Sequence, residues 1–183
     1  MQMTHVIPID MRNPGTPTRI SVKQGDAMTH IVVLRLLDND DPWQVPTHAS
    51  PVIRWFACDP SSGETARGLY DTLPDGTSAW GAEANQLTVR TVPQMFAMPG
   101  IVQADVAFVY GENVRTTFNF EFYVHPAPVN GTEPEVQDYY KVATLDQINA
   151  FVTDTTLWRG ETDQHITHIL QEVKNLKEKL AGK

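Results

Sequence analysis

Two histidines in the C-terminal quarter of the chain have a spacing that suits metal ligands. His165 and His168 lie three residues apart, near Glu161 and Glu172, and residues at i and i+3 of a helix share one face. A metal site needs three or four ligands, but the sequence has no HExxH motif and no cluster of cysteines and histidines. The other four histidines are scattered along the chain: His5, His30, His48 and His125. We therefore expect solvent-facing histidines and predict no metal and no other cofactor.

A short acidic run is the second candidate ligand set. Asp38, Asp40 and Asp41 lie within four residues, and Ca²⁺ is bound by carboxylates of this kind. The run lacks the glycine and the distal glutamate of an EF-hand loop, so we expect a solvated turn. The sequence also has no Gly-x-Ser-x-Gly elbow, no P-loop and no GxGxxG motif. We predict no catalytic residues and no enzymatic activity.

Tryptophans are the third candidate, because an indole face can stack on a sugar ring. Trp43 and Trp80 lie in loop-like segments beside a proline or a glycine, and we expect both to be partly exposed. They are candidate residues for binding host cell-wall glycan. The alternative is that they pack under a loop or at a protein interface, as exposed indoles often do. Trp55 lies within an apolar run and is expected in the core.

The composition of the chain restricts its class and its partners. The chain has 183 residues, 41% hydrophobic and 20% charged, which is typical of a folded protein. Its net charge of -8 offers no basic surface to a nucleic acid, which is therefore not an expected partner. No apolar run approaches the ~20 residues of a membrane helix, and residues 1–10 lack the apolar core of a secretory signal. The one cysteine, Cys58, is predicted to be a buried, inert thiol.

Residues 1–126, which must position these side chains, have a sequence pattern that predicts β-structure. The predicted strands are His5–Asp10, Thr18–Lys23, Ala27–Leu37, Pro51–Cys58, Thr65–Tyr70, Gln86–Val92, Ile101–Tyr110 and Arg115–Val124. Alternation of apolar and polar residues puts Phe118, Phe120, Phe122 and Val124 on one face of the last strand. Gly111 to Asn113 predicts a hairpin between the last two strands. Strands with such regular turns predict a mainly β fold, an antiparallel β-sandwich, with a closed barrel as the alternative.

Two further segments follow the β-domain. Residues 127–143 read as a linker because prolines and a glycine open it, and Tyr139 and Tyr140 are candidates for packing back on the sandwich. Residues 144–183 read as a helical stalk, with Thr144 as its N-cap and lysines near its end. A break at Gly160 is left open, since a glycine inside a helix costs about 1 kcal/mol relative to alanine.

The stalk carries an apolar stripe at the spacing of a coiled-coil seam. Its positions alternate in steps of four and three: Leu145, Ile148, Val152, Thr155, Arg159, Thr162, Ile166, Ile169, Val173, Leu176 and Leu180. A lone helix cannot bury such a stripe, so we predict oligomerisation through it. Isoleucine at both Ile166 and Ile169 favours a trimer, whereas leucine at the d position Leu176 favours a dimer; we predict a trimer. The alternative is that the stripe folds back and covers its own sandwich.

The first two thirds of the chain resemble the N-terminal domain of the baseplate upper proteins of phages of Gram-positive bacteria. The residues that carry the resemblance run from Ile20 through Gln24-Gly25-Asp26, then Thr29, then Val32 to Asn39. Pro51 to Trp55 is similar to the next strand of that family. Pro99-Gly100, with the two strands that follow, is similar to its closing hairpin. The resemblance covers about residues 5 to 126, and the helical region after them also fits the family's layout.

The resemblance implies a structural role. Domains of this family are β-sandwiches that dock on the tail baseplate, and their helical stalks trimerise and carry receptor-binding proteins outward. It implies a homotrimer whose partners are other baseplate proteins and a receptor-binding protein. The implied location is the tail baseplate of the virion, after assembly in the host cytoplasm. The family has no catalytic residues to transfer to this chain.

Overall fold

The computed structural model describes residues 2–13, 15–26, 29–110, 113–127 and 135–142. Within these ranges, apolar runs broken by turn residues form strands, as period-2 patterns should. The strands are β1 (Met3–Asp10), β2 (Arg19–Lys23), β3 (His30–Asp38), β4 (Asp41–Pro42), β5 (Ser50–Cys58), β6 (Thr65–Tyr70), β7 (Trp80–Glu83), β8 (Gln86–Arg90), β9 (Gly100–Tyr110), β10 (Asn113–Thr116), β11 (Phe120–His125) and β12 (Tyr139–Lys141). A single 3-10 turn, Pro93–Phe96, separates β8 from β9.

The strands form two mixed sheets. The five-stranded sheet has the order β1-β3-β8-β7, with β4 beside β3. The seven-stranded sheet has the order β12-β6-β5-β9-β11-β2, with β10 beside β9. Three pairs are parallel, namely β1 with β3, β2 with β11 and β12 with β6. The prediction of a mainly β fold is confirmed, but the prediction of antiparallel sheets is wrong, because each of these parallel pairs joins strands that are distant in the chain.

Side chains from both sheets share one buried core. Its largest fully buried members include Trp55, Tyr70, Phe96, Phe108, Phe120 and Phe122, and each such side chain contributes roughly 1.5–3 kcal/mol by its burial. The Tyr70 hydroxyl of one sheet donates a hydrogen bond across the core to the Arg90 carbonyl of the other, at 2.9 Å. Burial raises the pKa of that hydroxyl. The expectation that Trp55 lies in the core is confirmed.

A β-bulge divides the strand predicted over Arg115–Val124. Seven steps of chain from Asn113 to Phe120 face only six steps of β9, from Tyr110 to Ala104. The extra residue inverts the faces, so even-numbered residues point outward in β10 and inward in β11. Phe118 is consequently 38% exposed, while Phe120, Phe122 and Val124 are buried. The prediction that Phe118 shares their face is therefore wrong.

The acidic run between β3 and β4 is a tight hairpin turn. Asn39 and Asp40 have positive φ angles of 55° and 69°, as the two central residues of a type I′ turn require. The Asp10 carboxylate accepts the Asp40 backbone N–H at 2.9 Å, as well as two N–H groups from its own turn. These hydrogen bonds lower the pKa of Asp10. The predicted turn is confirmed, and its residues 39–41 are exposed.

The Gln24-Gly25-Asp26 motif forms the tight turn after β2. Gly25 has a φ of 83°, which glycine adopts without the steric cost of a Cβ. The Asp26 carboxylate accepts the Lys23 backbone N–H at 3.0 Å and closes the turn. The Gln24 amide donates to the Ala97 carbonyl and accepts from the Ala127 N–H. The turn therefore ties the segment after the 3-10 turn to the segment that leaves β11.

The predicted strands agree with the structure to within a few residues, apart from the one that the bulge divides. The predicted hairpin is confirmed by the antiparallel pairing of β9 and β10, in which Asn113 lies opposite Tyr110. Strands β4, β7 and β12 were not predicted, because they are short and lack apolar alternation. Cys58 is half-buried, so the prediction of a buried thiol is wrong: it is the last residue of β5 and lies on the outward side of the sheet.

Candidate interaction surface

The outward face of the seven-stranded sheet holds a second buried apolar cluster, separate from the main core. Its members are Val52, Leu69, Ala107 and Val109, here called the outer cluster. Val52 and Ala107 lie opposite each other on β5 and β9, and both are fully buried. The outward face of a sandwich sheet normally alternates with the core face and is solvated. This face therefore departs from the usual pattern of a two-layer β-fold.

Three half-buried side chains from the ends of the β-domain pack against the outer cluster. They are Val114 of β10, Tyr140 of β12 and Val142 just after β12. Val114 reaches this face because it precedes the bulge and lies opposite Val109. Tyr140 reaches it because β12 pairs with β6 and places Tyr140 opposite Leu69. The expectation that Tyr139 and Tyr140 pack back on the sandwich is confirmed, Tyr139 against the main core and Tyr140 against the outer cluster.

β12 is held in place by polar contacts as well as by its three pairing residues. The Asp71 N–H donates to the Lys141 carbonyl at 3.0 Å, and the Lys141 ammonium donates to the Leu73 carbonyl at 2.8 Å. The Tyr139 hydroxyl donates to the Thr72 carbonyl at 3.0 Å. The backbone N–H of Arg67 donates to the Asp138 carboxylate at 2.9 Å, just before the strand. This segment is thus fastened to the seven-stranded sheet.

Gly68 makes the close approach of β12 feasible. A Cβ at this position would lie 2.1 Å from the Trp55 indole nitrogen and 2.7 Å from the Tyr139 carbonyl oxygen. Both distances are shorter than real side chains allow, so only glycine fits between the buried indole and β12. The sequence indicated β-structure over Thr65–Tyr70, but it gave no sign of this packing requirement.

A buried ion pair lies beside the outer cluster. The Arg54 guanidinium of β5 binds the Asp105 carboxylate of β9 through two nitrogens, with Nε to Oδ1 at 2.6 Å. The two residues lie opposite each other, and Leu69 lies opposite Arg54 on its other side. Burial raises the pKa of Asp105, and the Arg54 charge opposes that rise. Bidentate geometry of this kind fixes orientation as well as contributing energy.

Beyond the ion pair, the same face is more exposed and more polar. The Arg19 guanidinium on β2 binds the Glu121 carboxylate on β11, with Nη2 to Oε2 at 2.7 Å. The Gln103 amide donates to the same carboxylate at 3.4 Å. Ile101 and Tyr123 lie opposite each other and remain partly exposed. The outward face of the seven-stranded sheet is thus buried at one end, where the outer cluster lies, and solvent-exposed at the other.

The two candidate glycan-binding tryptophans lie at different strands of the five-stranded sheet, Trp43 directly after β4 and Trp80 in β7. Trp43 follows β4, and its ring lies edge-on to Phe108, with centroids 5.0 Å apart. The Arg115 guanidinium carbon lies 5.1 Å from the centre of the Trp43 ring, so a cation already faces this indole. Trp80 is the first residue of β7 and packs against the core. The predicted partial exposure of Trp43 and Trp80 is confirmed.

Two histidines that the sequence analysis treated as scattered are neighbours in the structure. The parallel pairing of β1 and β3 brings His5 Nε2 to 3.0 Å from His30 Nδ1. The His30 Nε2 atom lies 3.3 Å from the Asp26 carboxylate. Burial lowers the pKa of His5, and the charge of His30 lowers it further, by a smaller amount. No sequence signal could have found this pair, because 25 residues separate its members. Among the described residues, no group of three or more potential ligands could hold a metal ion.

The remaining candidates lie outside the described residues. They are the stripe positions Leu145, Ile148, Val152, Thr155, Arg159, Thr162, Ile166, Ile169, Val173, Leu176 and Leu180, with His165 and His168. The predicted seam and the predicted trimer therefore stay predictions. The described part of the chain contains no helix that is long and apolar enough to cross a lipid bilayer.

The comparisons with known proteins were negative: the chain matches no protein-family model and no curated protein sequence.

Proposed function

We propose that this chain is a structural protein of a phage tail baseplate. It is assembled in the host cytoplasm and carried in the virion. Its β-sandwich docks on the tail core, and residues 144–183 form a helical stalk that joins three copies. The trimer connects the tail core to receptor-binding proteins. The protein acts through protein–protein contacts and not as an enzyme.

The observation that carries this proposal is the continuity between the outer cluster and the heptad stripe. Val142 packs against the outer cluster, and the stripe begins three residues later, at Leu145. A chain that leaves a sandwich over an apolar surface and continues for five heptads, with mostly apolar a and d positions, is suited to oligomeric contacts. The resemblance of residues 5 to 126 to baseplate domains supports the assignment to a phage tail. Part of that resemblance is the Gln24-Gly25-Asp26 motif, which forms the tight turn after β2.

The stalk is tested by placing a charge in the seam. The change Ile169→Asp puts a carboxylate at a d position, where burial without a partner is costly. Gln171→Asp is the matched control, because two residues further on the same charge falls at the solvent-facing f position. Light scattering should give about three times the 20.5 kDa chain mass for the wild type and the control, and a smaller species for Ile169→Asp. A monomeric wild type at all concentrations would refute the stalk.

The baseplate role is tested in virions that carry the chain. Ile169→Asp should reduce adsorption to host cells and remove density beyond the baseplate in electron micrographs, because the receptor-binding proteins lose their support. Gln171→Asp virions should adsorb normally. Normal adsorption by virions of both variants would contradict the proposed connection to receptor-binding proteins.

A second candidate function is binding of host cell-wall glycan. The observation in its favour is that Trp43 and Trp80 both keep part of their surface exposed. Titration of the intact protein with cell-wall fragments tests it. Trp80→Ala should abolish binding, because this indole lies at the outer strand of the five-stranded sheet. The absence of binding by the wild-type protein would eliminate this function.

A further inference from the structure

The first strand of the domain has an open edge. β1 lies at the end of the five-stranded sheet, and among the described strands it pairs with β3 alone. It runs for eight residues, from Met3 to Asp10, and is the longest of the strands that end the two described sheets. An unpaired edge of this length presents backbone donors and acceptors that another strand can use.

Backbone hydrogen bonds show which residues of β1 face this open edge. The Met3 N–H donates to the Thr29 carbonyl at 2.8 Å, and the Met11 N–H donates to the Leu37 carbonyl at 2.7 Å. Successive residues of an extended strand direct their N–H and C=O groups to opposite sides. The odd-numbered residues of β1 therefore face β3, and the even-numbered residues face the open edge.

The position of Pro8 agrees with this assignment. Pro8 is even-numbered, and a proline within a sheet is found on an edge strand with its missing N–H directed towards solvent. Before Pro8, both the N–H and the C=O groups of Thr4 and Val6 face the open edge. A strand added beside them can bond all of these groups, and Pro8 then interrupts the run of donors.

The side chains beside the open edge are apolar and exposed. Val6 is 57% exposed and Met3 is 45% exposed, the two highest values among the large apolar side chains of the described residues. Val6 lies next to Val33 of β3, which is half-buried. From Met3 to Ile9 the strand has no lysine, arginine, aspartate or glutamate, the charged residues that commonly block an edge. Apart from Pro8, β1 therefore lacks protection against pairing.

The other three strands that end the two sheets are protected. β2 exposes a charged residue at each end, Arg19 and Lys23. β7 has only four residues and exposes Glu83, and β12 has only three residues. Short strands and charges are the usual means of preventing edge pairing. Among these edges, β1 alone is both long and uncharged over the part that precedes Pro8.

We propose that the β-domain docks on the tail core through β1, and that an extended strand of a tail-core protein is added beside Met3 to Ile7. The backbone of Thr4 and Val6 determines this choice of occupant, because the extended main chain of another strand bonds such alternating groups in full. The added strand carries an apolar side chain beside Val6, which covers the exposed valine as cross-strand pairs do. This inference deepens the proposed function and rests on it.

A second copy of β1 is not the occupant in the proposed trimer. Two identical edges pair across a two-fold axis, because such a contact uses the same surface on both copies. A three-fold axis instead places one surface of each copy against a different surface of the next. The other sheet ends that a neighbouring copy offers are short or charged. The added strand therefore comes from outside the trimer.

Hydrogen exchange of the β1 amides measures this pairing directly. The full-length protein in solution is compared with purified virions that carry it, by mass spectrometry with fragmentation to single residues. His5 and Ile7 face β3 and should exchange slowly in both samples, which makes them the internal reference. Thr4 and Val6 should exchange fast in the isolated protein and about tenfold or more slowly in virions, because docking gives their N–H groups acceptors.

Each result of the exchange comparison decides the proposal. Slow exchange at Thr4 and Val6 in the isolated protein would overturn it, since the chain or a neighbouring copy would already cover the edge. Fast exchange at both residues in virions would also overturn it, while leaving the baseplate role intact. Absence of the chain from purified virions would refute the proposed function, and this docking with it.

A pair of proline variants tests whether assembly needs the open edge. Val6→Pro removes an N–H from the open edge of β1, two residues before the native Pro8. Ser21→Pro is the matched control: the Gln24 N–H donates to the His125 carbonyl of β11, so Ser21, three residues earlier, faces the open edge of β2. Virions should contain few or no copies of Val6→Pro and normal amounts of Ser21→Pro. Equal incorporation of the two variants would overturn the proposal. If Val6→Pro does not fold, the exchange comparison on the wild type decides.

Discussion

The outward faces of the two sheets differ in how much of their surface is buried. On the five-stranded sheet, the outward residues are open to solvent: Val6 is 57% exposed, and Arg35 and Arg90 are exposed, while the inward Leu34 and Leu87 are fully buried. On the seven-stranded sheet, the burial pattern of β5 is almost continuous, because Val52 and Arg54 point outward and are nonetheless buried. The five-stranded sheet is buried on its inward face alone, whereas the seven-stranded sheet is buried on its inward face and on one end of its outward face.

This difference can be recognised from the burial pattern along a strand. A strand that packs on one side alternates, whereas a strand that is covered on both sides reads as a near-continuous apolar run. β9 shows both regimes along its length: it alternates from Gly100 to Asp105 and is buried at every position from Val106 to Val109. The buried end of the outward face coincides with this second segment of β9, Val106 to Val109. The buried part of the outward face therefore lies within one sheet and at one end of it.

The largest expected effect follows removal of the buried cation from the outward face. Arg54→Ala leaves the Asp105 carboxylate buried without its bidentate partner, which we expect to cost about 3–5 kcal/mol of unfolding free energy. The matched control is Arg35→Ala on the outward face of the other sheet, where the arginine is exposed. It should change stability by no more than about 0.5 kcal/mol. Equal effects in urea titrations would mean that the two outward faces are alike.

A somewhat smaller effect is expected from filling the space beside β12. Gly68→Ala forces the new methyl group against the Trp55 indole and the Tyr139 carbonyl, and overpacking of this kind costs about 1–3 kcal/mol. Gly81→Ala in β7 of the five-stranded sheet is the control, since nothing lies within 4 Å of the added Cβ. Urea titrations should separate the two variants, and the tryptophan fluorescence of Gly68→Ala should shift. An unaltered Gly68→Ala protein would show that β12 does not pack closely on β6.

The smallest effect is a pH dependence that belongs to the five-stranded sheet. The pKa of His5 is lowered from its ordinary value of 6.5 by burial and by His30, so the unfolded chain binds the proton more tightly. The contribution of His5 is therefore fully present above pH 6.5 and is lost as the pH falls through 6.5 towards the folded pKa. His30 is also in contact with Asp26 and with the edge of the Phe96 ring.

Melting temperatures between pH 7.5 and 5 test this assignment. The wild type should lose stability towards pH 5, and His5→Asn should reduce that slope. The control His48→Asn changes an exposed histidine outside the sheets and should keep the wild-type slope. A slope that is the same in all three proteins would mean that the histidine pair does not couple protonation to folding.

Much of the β-domain could be predicted from neighbouring residues. Alternation over Ile101–Tyr110 and turn chemistry at Gln24-Gly25-Asp26 placed a strand and a tight turn where the structure has them. The same reasoning failed at Phe118, because a bulge shifts the register by one residue without any sequence signature. It also missed the pairing of β12, whose three residues carry no alternation. The outer cluster depends on both features, so the sequence could not predict it.

By itself, the sequence determined where most strands run, because side-chain periodicity and turn preferences act between residues that are close along the chain. Only the tertiary structure decided the three parallel pairings, the contact between His5 and His30, and the placing of Val114 and Tyr140 on one outward face. The physical reason is that period 2 assigns a residue to a face of its own strand but does not specify a partner strand. The partner is chosen by which apolar surfaces meet when the whole chain folds.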